Sequence, residues 1–115
     1  MNNIMIDRFL SDEKYEAGTV IAIGGEKEIT SADGNTMHSV IGVVTVKRDI
    51  TITMPIYVDV ALKGRCSVKV IGWVKKGDRL TASGKKGYAK VDNNSEYSFA
   101  ISLETGSDMI EAVIL

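Results

Sequence analysis

Cysteine, histidine and proline each occur once in these 115 residues, and aromatic side chains make up only 6%. A single thiol, Cys66, excludes an internal disulfide, and its place in an alternating apolar segment predicts a packed side chain rather than a reactive one. With His38 as the one imidazole, a zinc site would need carboxylates for its other ligands, and no H-x-x-x-H or C-x-x-C spacing exists. Charge of one sign is also missing. The 14 Lys and Arg stand against 15 Asp and Glu, so no global field draws the protein to nucleic acid or to an anionic membrane. No apolar run approaches the roughly 18 residues of a membrane-spanning helix, and no basic segment followed by a long apolar stretch opens the chain. These absences leave a protein made in the cytoplasm, with protein partners or none.

What is there is strand pattern. The length suits one domain, which buries roughly 60 to 70% of its extended surface, and 11 dispersed glycines beside one proline argue against a disordered linker. Residues 1–16 mix Ile4, Met5, Ile6, Phe9 and Leu10 with charge and read as an N-terminal arm preceding a β-rich domain at 17–115. The arm's apolar residues Ile4, Ile6, Phe9 and Leu10 have no periodic partner within the chain, so they are expected to bind outside it. Removal of residues 1–10 is expected to leave the domain folded. Thr19 to Ile23 and Glu28 to Ser31 read as short strands, the second leading into an Asp33-Gly34 hairpin turn. Val40 to Val46 is apolar on both faces, as in a strand covered on both sides. The alternation of Ile50, Ile52, Met54 and Ile56 carries Pro55, which places that segment at an edge or a break.

Val58, Val60 and Leu62 share one face, and after Gly64 the set Cys66, Val68 and Val70 shares another, so the pair can close a small barrel or clip. Lys75 to Asp78 forms a tight turn in which Gly77 supplies a backbone conformation with positive φ and Asp78 caps neighbouring amides. Leu80 and Ala82 point one way, and Gly84-Lys85-Lys86-Gly87 turns again. Tyr97, Phe99, Ile101 and Leu103 alternate as one half-buried face, and the last strand, Met109 to Leu115, is apolar to its end and expected to tuck into a core or an interface. About nine short strands near ten residues apart predict an all-β fold, a small barrel or β-clip-like module.

Little in the sequence carries chemistry. His38-Ser39 offers a base beside a nucleophile, but adjacent strand residues point to opposite faces. Gly24-Gly25 and Gly84 to Gly87 precede no helix and read as turns rather than phosphate cradles. Lys75, Lys76, Arg79, Lys85 and Lys86, interleaved with Trp73 and Tyr88, have the composition of a nucleic-acid surface, with solvated turn lysines the favoured reading. The V-K-K-G-D-x-L turn resembles one in lipoyl and biotinyl carrier domains, but the acidic or methionine neighbour of their modified lysine is missing, and Asp78 is better explained by turn geometry. No catalytic, cofactor-binding or metal-binding residue is assigned; Gly77 and Asp78 are read as a structural turn.

Several segments together resemble the β-rich module of bacteriophage virion proteins, found in fibre and tail polypeptides and in short stand-alone structural proteins. They are Arg8-Phe9-Leu10-Ser11-Asp12, Tyr15-Glu16-Ala17-Gly18-Thr19-Val20, Gly42-Val43-Val44, Val60-Ala61-Leu62-Lys63-Gly64-Arg65, Val68-Lys69-Val70 and Val74-Lys75-Lys76-Gly77-Asp78-Arg79-Leu80. They span residues 8 to about 90, with a weaker likeness at Ile101-Ser102-Leu103-Glu104, while Thr45 to Tyr57 departs from the family. The resemblance implies a β-clip-like topology similar to phage head-decoration proteins, which assemble as trimers. The expected function is a non-enzymatic virion protein: a capsid decoration or cement subunit binding the major shell protein as a homotrimer, or else a tail or fibre module. Some relatives cleave themselves, but none of their catalytic residues has a place in this sequence.

Overall fold

A computed structural model describes residues 4–45 and 55–115. The strands are β1 (Met5–Ser11), β2 (Val20–Ile23), β3 (Ile29–Ser31), β4 (Val40–Val44), β5 (Ile56–Lys69), β6 (Arg79–Ala82), β7 (Ala89–Val91), β8 (Ala100–Ser102) and β9 (Met109–Ile114), with one 3-10 turn at Met37–Ser39. The chain is all-β, and it forms the barrel. Hydrogen bonds run in the order β1-β3-β2-β4-β5, and β1 returns to pair with β5, closing five strands into a ring. The second half continues from the same β5 through β9, β8, β6 and β7. A parallel bridge from Val70 to Ala89 then brings β7 back beside the chain as it leaves β5.

One long strand therefore serves both halves, and its sequence shows how. Before Gly64, β5 pairs with β1 and β4; from Gly64 onward it pairs with β9. Val58, Val60 and Leu62 pack in the barrel interior with Ile21, Ile29, Val44 and Phe9, whereas Val68, Val70 and Cys66 join a second core with Leu80, Ile110 and Ile114. Gly64 sits at the change with φ +103, a left-handed conformation that costs glycine nothing. The two faces expected on either side of Gly64 are the ones observed.

The second core also explains the segments that are apolar on both faces. On β2, Ile21 points into the barrel while Val20 and Ala22 face the second core; on β4, Val44 and Val43 divide in the same way. Each of these side chains is at most 6% exposed. Fully burying a Val or Ile contributes about 1.5–3 kcal/mol, so the two-sided strands are the centre of stability here.

Four expectations are corrected. Residues 5–11 are not an arm: β1 pairs antiparallel with β5 from Ser11↔Ile56 to Met5↔Lys63 and closes the barrel. The Asp33-Gly34 turn is not a hairpin, because β3 and β4 are not neighbours. Asp33 Oδ1 instead accepts from the Asn35 N–H in a local turn that leads into the 3-10 turn. In the run from Tyr97 to Leu103 only residues 100–102 form a strand, and its buried positions are Ala100 and Ser102 rather than Ile101. At the end of β9, Ala112 and Ile114 are buried but Leu115 is 53% exposed. The alternation at Ile50, Ile52 and Met54, and Val46, lie outside the described residues.

Candidate functional site

The Lys75 to Asp78 turn is built as scaffold. Gly77 has φ +93, and its N–H donates to Ser102 O at 2.9 Å. Asp78 Oδ2 accepts from the Lys75 N–H at 2.9 Å and Oδ1 from Asn93 Nδ2 at 3.2 Å, while the Ser102 N–H donates to Asp78 O at 2.8 Å. The Lys75 amide, then the Asn93 amide, favour the charged carboxylate and hold Asp78 below its ordinary range.

Two outcomes follow for this turn. Space around Gly77 is open, so Gly77→Val is expected to destabilise by backbone strain alone, roughly 1–3 kcal/mol by denaturant unfolding. Because the native state lowers the Asp78 value, its contribution is present above the unfolded value of about 3.9 and is lost as pH falls through the native one. Asp78→Asn removes that contribution at pH 7, but it keeps an oxygen acceptor at a partly exposed site, so the loss should be small, and the acid side of the stability profile should flatten. An unchanged profile would show that the carboxylate does not feel these amides.

The residues expected to bind a partner fall into two kinds. Ile4 and Ile6 are exposed, as is Met5 between them, whereas Phe9 packs into the barrel core and Leu10 is half-buried. Arg8, on the opposite face from Phe9, reaches its cross-strand neighbour Asp59 at 3.0 Å and ties β1 to β5. At the Gly64 bend the start of β1 meets the end of β9 along one side of β5. There Ile4, Met5, Lys63, Gly64, Val113 and Ile114 line an open groove of about 630 Å³.

A second groove, of about 430 Å³, lies at the other end of β9 between Lys69, Ile71, Gly72, Lys85, Tyr88, Asp108 and Met109. Two ammonium groups flank the Tyr88 ring, Lys85 at 4.1 Å and Lys69 at 5.5 Å from its centroid, within cation–π range. Lys69 is paired with Glu16 at 2.5 Å. Lys85 has no carboxylate partner among the described residues. Ile71, Met109 and the neighbouring Trp73 are exposed, Trp73 at 66%. Sequence alternation missed this groove, because its apolar members come from a strand end, β9 and a break at Gly72. The one local signal was the Ile71-Gly72-Trp73 sequence, bulky side chains around a left-handed glycine with φ +74.

The remaining candidates separate. Lys75 and Lys76 stand at one end of β6 and Lys85 and Lys86 at the other, so the basic run does not form one surface. His38 is exposed on the 3-10 turn, and Ser39 Oγ lies within hydrogen-bond distance of Thr36 O and Ile23 O. Burial, then the Glu111 carboxylate, push the Cys66 thiol up to about 12, which leaves it protonated at neutral pH. No group of three or more His, Cys, Asp or Glu able to hold a metal ion occurs among the described residues. No protein-family model and no curated protein matches the chain.

Proposed function

We propose that the protein is a non-enzymatic bacteriophage virion subunit, a capsid decoration or cement protein that attaches to the major shell protein as a homotrimer. The resemblance at residues 8 to about 90 supports this reading, and its segments fall on the frame of the fold: β1, the Gly64 bend of β5, and the turn entering β6. The observation that carries it is the exposed apolar surface in two places, Ile4, Met5 and Ile6 at one and Ile71, Trp73 and Met109 at the other. Large apolar side chains exposed close together are what interaction sites on small domains present. The strand at 40–44, by contrast, is covered within the chain and gives no reason for self-association.

Attachment by such surfaces needs binding energy alone. About 1,600 Å² of total buried area suffices for a specific contact, and repetition over a shell adds avidity without new contacts. Light scattering at micromolar concentration is expected to give three times the chain mass of 12.5 kDa. Electron microscopy of the parent particle is expected to place the density on the shell. Density confined to tail or fibre would favour the attachment-module alternative, and a shortened intact mass after incubation would favour a self-cleaving one.

A further inference from the structure

We infer that the β1 edge of one copy, Ile4 to Asp7, docks in the Lys85–Tyr88 groove of the next, joining copies head to tail. The inference rests on the proposal that the protein is a homo-oligomer and assigns the two faces of its contact. The first face is open for binding. β1 pairs with β5 along one side, but on its other side the described partners are confined to its end: Ser11↔Ile29, the Glu28 N–H donating to Leu10 O, and the Leu10 N–H donating to Glu28 Oε1 at 2.7 Å. Among the described residues no strand covers the flank from Met5 to Phe9. Unpaired strand edges with apolar side chains are the usual site for addition of another chain.

The two faces are chemically complementary. Ile4, Met5 and Ile6 are exposed and are followed by Asp7. The one hydrogen bond described for the Asp7 carboxylate is from the Arg8 N–H at 2.8 Å, and it has no cationic partner among the described residues. The groove brings Ile71 and Met109 together with the Lys85 ammonium over Tyr88; Asp108 and Lys69, the latter paired with Glu16, also line it, and Trp73 follows its Gly72 in sequence. An apolar stretch ending in the Asp7 carboxylate meets Ile71 and Met109 beside the Lys85 ammonium, which has no carboxylate partner among the described residues.

The geometry makes the contact intermolecular. The start of β1 lies beside Lys63 and the groove begins at Lys69, six strand residues further on, a separation of about 20 Å. One copy cannot satisfy itself. Two different patches in contact are heterologous, and such contacts either close into a ring, as in a trimer, or propagate as a filament.

The test is a charge exchange read by light scattering and circular dichroism at about 100 µM, well above the micromolar range of weak association. Lys85→Glu and Asp7→Lys, both at exposed positions, are each expected to lower the mass threefold, to the monomer, with strand signal retained. The double variant is expected to restore the trimer. Trp73, the only tryptophan, is expected to emit at shorter wavelength in the trimer than in the monomeric variants. A trimeric wild type whose mass is unchanged by either single variant, or no recovery in the double variant, overturns the docking and leaves the homotrimer standing. Tryptophan emission unchanged between trimer and monomer overturns it equally. A wild type that is monomeric at this concentration overturns both.

Discussion

Removal of residues 1–10 is expected to unfold the barrel rather than release a dispensable arm. The truncation takes away nearly all of β1, and with it the pairing to β5 from Met5↔Lys63 to Leu10↔Tyr57 that closes the ring. Phe9 leaves the interior cluster formed by Ile21, Ile29, Val44, Val58 and Val60. Asp59, only 8% exposed, loses the guanidinium that neutralises it. Losing a fully buried Phe costs about 3–5 kcal/mol, and Phe9, partly buried against this cluster, contributes a share of that. A buried carboxylate without its partner adds to that, reduced here because Arg8 itself is half-exposed. Since small domains are stable by about 5–15 kcal/mol in total, the sum is comparable with the whole. Circular dichroism of the truncated chain should show loss of the cooperative transition. A transition at the wild-type temperature would return residues 5–11 to the role of an arm.

The arm-like pattern of this strand has a physical cause. Along MIDRFLS neither face is uniformly apolar: Met5, Asp7, Phe9 and Ser11 share one side, Ile6, Arg8 and Leu10 the other. The charges make sense only across the sheet, where Arg8 faces Asp59, 51 residues away. No local period contains that contact. The strands that were legible carry their burial in their own composition. Val43 and Val44 are apolar on both sides because a core lies on both sides, and the face change at Gly64 is written in the spacing of Val58, Val60, Cys66 and Val68.

The β8 face departs from simple alternation for a different reason. Alternation ranks Tyr97, Phe99, Ile101 and Leu103 as the inner set by hydropathy, and Phe99 is indeed buried. Yet β8 lies between β6 and β9, where Ala100 faces Leu80 and Ile114 across the ladders and Ser102 faces Ala112. Little room is left there, so small residues turn inward and Ile101 and Leu103 remain half-exposed. Size decided the face, and size preference depends on neighbours that the local sequence does not contain. The grooves follow the same rule: each is assembled from segments distant in sequence, so the residues were visible but their meeting was not.

The ladder between β4 and β5 supplies the sharpest test of this architecture, at Gly42. A methyl group built on Gly42 would lie 2.0 Å from the carbonyl oxygen of Ala61 and 3.0 Å from Val60 Cγ1. The obstacle is backbone in the strand both halves share, not the flexible tip of a side chain. Relief requires β4 to move away from β5, which breaks Val43↔Ala61 and Val44↔Val60 and opens both cores, since Val43 packs in one and Val44 in the other. Gly42→Ala is therefore expected to destabilise by about 3 kcal/mol or more, at the upper end of what overpacking does. In a domain of this size that lowers the melting temperature by roughly 10 °C or more. Gly34→Ala is the control: nothing lies within 4 Å of its added methyl and its φ is not left-handed, so it should be neutral or slightly stabilising. If Gly42→Ala melts with Gly34→Ala and the wild type, then β4 does not approach β5 as closely as the closed barrel requires, and the two-core account of the central strands fails with it.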